Sequence, residues 1–161
     1  MLRMRSSVCI EAPAVRVWQC LSAIENIDYW VPAINRAYCE TDQKAGVGAV
    51  RICHLDKFDV REEFLEWEEG RSFKYRGVGA PMMAWATNRW RVEPVGDKTL
   101  VTSDVEMMVK GGVLGRLLEP IIYLALRLGL PNGLAPLKYY VETGEPFNGD
   151  PRRLPLADAI C

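Results

Sequence analysis

The chain has 161 residues, 49% hydrophobic and 25% charged, which fits a single soluble domain whose core needs no metal or disulfide to hold it. Twenty basic residues against 21 acidic ones give a formal charge of -1, a balance that argues against a nucleic-acid binder with its basic excess or stripe. The segment MLRMRSSVCIEAP lacks the apolar run of a signal peptide, and no stretch offers the roughly 20 apolar residues of a membrane span, because Leu117 to Leu130 contains Glu119, Pro120, Arg127 and Gly129.

Leu2 to Ile10 reads as a first strand. Pro13 suits the first turn of a helix, where its missing N–H costs nothing, and Ala14, Val17, Trp18 and Leu21 share one face of a short amphipathic helix. A second short helix is expected over Ile24 to Trp30, ending before Pro32. Six strands follow: Ile34 to Thr41, Val47 to Leu55, Phe58 to Trp67, Arg71 to Val78, Ala84 to Val95 and Thr99 to Val109. Short turn-like connections such as Glu68-Glu69-Gly70 join them, so successive strands should pair as antiparallel hairpins in a meander.

Gly111-Gly112 ends the last strand, and from Val113 to Leu128 the period turns helical. Leu114, Leu117, Leu118, Ile121, Ile122, Ala125 and Leu128 share one broad face, while Leu124, Leu126 and Leu130 lie off it. Gly129, Pro131 and Gly133 should bend or break this helix before a second piece, Leu134 to Thr143, with Pro136 in its first turn. Residues 145–161 form a Pro-containing C-terminal tail, poorly ordered or laid along the surface. A helix this apolar must be covered on more than one side, which a sheet curling around it would do. The expected fold is therefore α+β: a curved antiparallel sheet of about seven strands around a long C-terminal helix, in one domain over residues 1–144, with an apolar pocket between them.

The five cysteines, Cys9, Cys20, Cys39, Cys53 and Cys161, are odd in number, and no two are spaced as a metal or redox pair. Without an export signal they are expected as reduced thiols in a cytoplasmic protein. One histidine and scattered cysteines build no metal site, and no cofactor is expected. The Gly46 to Gly48 segment does not follow a strand and open a helix, as a dinucleotide site requires.

Four segments carry a family resemblance. "IEAPAVRVWQCLSAIENIDYWVPAI" has an apolar-acidic-Ala-Pro start, a Val-Trp pair and a later Trp-x-Pro; "GVGAVR" opens a strand; "EFLEWEEGRSFKYR" is a hairpin; "LKYYVETGE" ends a helix. Together, over residues 2 to 144, they resemble the START-like (SRPBCC) superfamily with the helix-grip fold, specifically its polyketide cyclase/dehydrase-like branch. The resemblance implies a pocket between sheet and helix for lipids, sterols, hormones or polyketides, and no single reaction. "GLPNGLAP" departs from the pattern, since the family's last helix is usually continuous.

Alternation of charge and apolarity gives the strand faces. Ala86, Asn88, Trp90 and Val92 should face in, as should Val101, Ser103, Val105, Met107 and Val109, and Phe73 with Tyr75. In Phe58 to Trp67 the pattern leaves both sets open. The resemblance implies that Glu63 looks into the cavity, which brings Leu65 with it, and that Arg51 points inward, with Cys53 beside it. Arg51 and Glu63 could then pair, either as a polar anchor for a ligand or as a structural ion pair. His54 should face out, away from any general-base role.

Three functions fit. The first is binding of a small hydrophobic ligand by Arg51, Cys53, Glu63, Leu65, Tyr75, Asn88, Trp90, Ser103, Met107, Leu118, Ile122 and Ala125. The second is a polyketide aromatase/cyclase or dehydrase, with Arg51, Glu63 and Tyr75 as catalytic candidates for aldol closure and loss of water. The third is a protein-interaction or membrane-surface role, as a homodimer or on a bilayer, through the apolar C-terminal helix.

Overall fold

The computed structural model describes residues 1–129 and 132–161, and the side chains of all of these except 116 and 126–129. Strand β1 (Leu2–Ile10) leads to helix α1 (Ala14–Ser22), and a 3₁₀ segment covers Ile24–Tyr29. Six strands follow: β2 (Arg36–Cys39), β3 (Val50–His54), β4 (Asp59–Glu68), β5 (Ser72–Val78), β6 (Met83–Val95) and β7 (Lys98–Val109). Helices α2 (Gly112–Gly129) and α3 (Ala135–Thr143) follow, and a 3₁₀ turn at Pro151–Arg153 completes the order. The sheet runs β1-β7-β6-β5-β4-β3-β2 with every pair antiparallel, so β2 to β7 form a meander and β1 closes it on β7.

The inner face follows the alternation of the strands. Phe73, Trp90, Ser103 and Ser6 lie in one row across β5, β6, β7 and β1, and Phe64, Tyr75, Asn88, Val105 and Met4 lie in the next. Residues Val17, Trp18, Cys20 and Leu21 of α1 pack onto this face. So do Leu137 and Val141 of α3, both essentially buried. Trp18, Phe64, Trp67 and Phe73 meet ring to ring at 5.4–5.9 Å between centroids, which anchors the closed end of the grip. Pro136 sits at the first turn of α3, and Gly144 at φ +77° ends it by donating its N–H to the Tyr140 carbonyl.

Three expectations are corrected. The broad apolar face of α2 is not covered: Leu114, Leu117 and Ile121 are 65–69% exposed, and Leu124 is also open. Amphipathicity states which face of a helix is apolar, not what will cover it. Here Gly111 and Gly112, both at positive φ, turn α2 away at the end of β7, and α3 takes the gripped position. Breaks at Gly129 and Gly133 match the ends of α2 and α3, but Pro131 and Leu130 lie outside the described residues, as do the side chains of Leu126 and Leu128.

The second correction concerns β4. Leu65 is the extra residue of a β-bulge between Phe64 and Glu66, which changes the strand's parity partway along. Glu62 and Phe64 face in before the bulge and Trp67 faces in after it, so neither alternating set was inward throughout.

The third concerns the thiols. Cys9 and Cys161 form a disulfide with their Cα atoms 5.2 Å apart, while Cys20, Cys39 and Cys53 are free. A separation of 152 residues leaves no spacing signal from which a bridge could be read. No helix among the described residues is long and apolar enough to cross a membrane.

Candidate functional site

Arg51 is the polar centre of the inner face and is 2% exposed. Register places it opposite Glu62 on β4. Its Nε donates to Glu62 Oε2 at 2.7 Å, and Nη2 lies 2.5 Å from the same oxygen without hydrogen-bond alignment. Nη1 donates to the Ile24 carbonyl at 2.8 Å. The guanidinium also lies over the rings of Phe64 and Tyr75, at 5.4 and 5.3 Å. Gly77 faces Glu62 across the β4–β5 pair, where a Cβ would press on Val60 Cγ1 at 3.2 Å and meet the Glu62 side chain at ordinary contact distance.

The electrostatics follow from that pair. Burial is the largest single influence on Arg51 and opposes its charge, but the Glu62 charge and hydrogen bond, together with Cys53 and Tyr75, outweigh it and hold the guanidinium above its ordinary range. Cys53 donates to Glu62 Oε2 at 3.4 Å, and burial, then the Glu62 charge, pushes its thiol up to about 12. The same two causes raise the Tyr75 phenol. Arg51 is therefore a fixed cation, and Cys53 and Tyr75 keep their protons at neutral pH. Asn88 donates to the Tyr75 oxygen at 3.4 Å and accepts from the Ser103 hydroxyl at 2.9 Å, which extends the polar line towards β7.

Beside Ser103 the inner face opens into a cavity of about 470 Å³, in the range of small-molecule sites. Met4, Ser6, Trp90, Ser103 and Val105 form its sheet side, and Trp30 stands edge-on to Trp90 with ring centroids 5.4 Å apart. Asn132, Gly133, Leu134 and Ala157 form the opposite wall. The Trp30 indole nitrogen is buried and finds no hydrogen-bond partner among the described residues.

Of the residues expected at the site, Arg51, Cys53, Tyr75, Asn88, Trp90, Ser103 and Met107 lie on the inner face. Trp90 and Ser103 line this cavity. Glu63 does not belong with them: it is on the outer face, half exposed, 3.9 Å from Arg61, and Glu62 holds the partner position. Leu65 is 41% exposed at the bulge. On α2, Leu118 and Ala125 are exposed and Ile122 is half-buried; none of the three lines this cavity. His54 faces out and pairs with Asp59 at 2.6 Å. Sequence reasoning missed Glu62, Trp30, Ser6 and Asn132. The Val60-Glu62-Phe64 alternation was the signal for Glu62, while Trp30 and Asn132 reach the cavity from loops without periodicity. No cluster of three metal-binding side chains exists among the described residues.

A sequence family described as polyketide cyclase/dehydrase and lipid transport matches residues 1–142. No curated protein matches in sequence. Among solved structures, the ZhuI aromatase/cyclase from Streptomyces sp. R1128 superposes with a TM-score of 0.72 at 14% identity, over 88% of this chain and 93% of that one. A START superfamily protein from Mycobacterium smegmatis gives 0.68 at 19%, over 87% and 97%. Truncated norcoclaurine synthase from Thalictrum flavum gives 0.64 at 17%, over 88% and 93%. At such identities the likeness is one of fold.

Proposed function

The chain belongs to the polyketide cyclase/dehydrase and lipid transport family, and on that premise we propose that it binds a small, mainly apolar molecule carrying a hydrogen-bond acceptor, in the cavity beside Trp30 and Trp90. The observation that carries this reading is the cavity itself: apolar and aromatic walls with a few hydroxyls, those of Ser6 and Ser103 among them, to meet an acceptor on the ligand. The neighbouring polar line favours binding over proton transfer, because Cys53 and Tyr75 hold their protons and Arg51 is enclosed.

Native mass spectrometry of freshly purified protein should show a co-purified apolar molecule, and an apolar panel should raise the melting temperature. Val105→Trp, which fills the cavity from the sheet side, should abolish both effects while leaving the circular dichroism spectrum unchanged. A panel without any shift in the wild type would end this reading.

A second reading, a cofactor-independent cyclase or dehydrase, rests on Glu62. Every hydrogen bond described for its carboxylate ends on Oε2, which leaves Oε1 to accept a proton from a substrate carbon. Glu62→Gln should then abolish turnover of a poly-ketone chain and keep its binding. Equal loss of both would leave only the binding role.

A further inference from the structure

Among the described residues, the bonds that hold residues 151–161 to the rest of the fold meet at two residues. The first is Asn132, in the left-handed conformation at φ +62°, which asparagine tolerates. Its Nδ2 shares its hydrogens among the carbonyls of Pro151, Leu154 and Pro155 at 2.9–3.2 Å, and its Oδ1 accepts the Ala157 N–H at 2.8 Å. The second is Cys9. Its backbone N–H, on the free edge of β1, donates to the Asp158 carbonyl at 2.7 Å, and its sulfur is bonded to Cys161. Lys138 of α3 donates to the Cys9 carbonyl at 3.0 Å, which ties the same point to the gripped helix.

Little apolar burial supports the last part of this segment: Leu156 is 88% exposed and Ile160 80%. Yet Ala157, between the two anchors, is part of the cavity wall that faces Trp30 and Trp90. A strap secured by hydrogen bonds of about 0.5–1.5 kcal/mol each stays closed chiefly because the covalent link keeps its end at high effective concentration.

We propose that Cys9–Cys161 is a thiol-operated clasp, which holds residues 154–161 as a wall of the cavity when oxidised and releases them when reduced. That release opens the site to ligand exchange rests on the binding reading above. The reductant is a dithiol. One of its thiolates attacks Sγ of Cys161, the exposed partner, forming a mixed disulfide and expelling Cys9 as a thiolate that takes up a proton. Its second thiolate then attacks the reductant's own sulfur in that mixed disulfide. Cys161 leaves as a thiolate and is protonated, and the reductant is left as an internal disulfide. Two electrons and two protons pass from reductant to protein.

The test compares the oxidised protein, the protein in dithiothreitol, and Cys161→Ser without reductant, a variant that leaves Cys20, Cys39 and Cys53 untouched. Hydrogen exchange followed by mass spectrometry reads the strap with no ligand present. The Ala157 amide should exchange about tenfold faster or more in both opened forms than in the oxidised one. Equal protection in all three, or a peptide map without a Cys9–Cys161 link in air-oxidised protein, would overturn the clasp. Asn132→Gly keeps the backbone conformation and removes the other anchor, so it should speed the same exchange even when oxidised. Stopped-flow release of N-phenyl-1-naphthylamine reads the gate and should be about fivefold faster in Cys161→Ser. Equal release rates would refute gating. No binding of this probe in any form counts against the cavity reading alone, and leaves the clasp to be decided by exchange.

Discussion

Arg51 and Glu62 set the terms at the inner face, because each is buried against the other. Removing one partner strands a charge, so Arg51→Met should cost roughly 3–5 kcal/mol in urea unfolding, and the double variant Arg51→Met/Glu62→Gln should recover most of it. The Cys53 thiol gives a pH signature. Its pKa is raised in the fold, from an ordinary 9.0 to about 12, so the native state holds a proton that the unfolded chain has lost. Stability from this group is full below about pH 9 and declines as pH rises towards 12. Denaturant midpoints measured from pH 7 to 11 should fall above pH 9, and Cys53→Ser should flatten that fall. The pair was half legible in the sequence: arginine's inward position could be inferred, but its partner was displaced by one residue. The family resemblance favoured Glu63, and the strand pattern left both alternating sets open because the bulge at Leu65 swaps them before Trp67; the β3–β4 register then sets Glu62 opposite Arg51.

Among the elements, α2 separates what patterning can and cannot say. Its apolar stripe was plain in the sequence, and its exposure was not, because burial depends on where Gly111 and Gly112 send the helix. Since Leu117 and Ile121 bury little, Leu117→Gln/Ile121→Gln should change unfolding free energy by less than about 0.5 kcal/mol, whereas Leu137→Ala in α3 should cost about 2–5 kcal/mol. Urea titrations of the two variants check the contrast. A different limit applies at the turn after β5. Gly79 has φ +115°, and a Cβ there would strike the Asp59 carbonyl. Gly79→Ala should destabilise by about 1–3 kcal/mol or more, from backbone strain together with that clash.

For the whole molecule, the closed loop between Cys9 and Cys161 spans nearly the entire chain. Loop-closure entropy puts the upper stabilisation near 5 kcal/mol, so reduction should lower the melting temperature by several degrees in calorimetry. By itself the sequence determined the order of elements, the meander, the faces of β5, β6 and β7, and the family. All of these follow from local periods of 2 and 3.6 and from short connections. Only the tertiary structure decided that Glu62 and not Glu63 meets Arg51, that α3 and not α2 is gripped, and that residue 161 returns to β1. Those outcomes turn on the register of a strand that a bulge interrupts, on the departure angle of a helix and on a contact across 152 residues, and no pattern running the length of an element decides any of them.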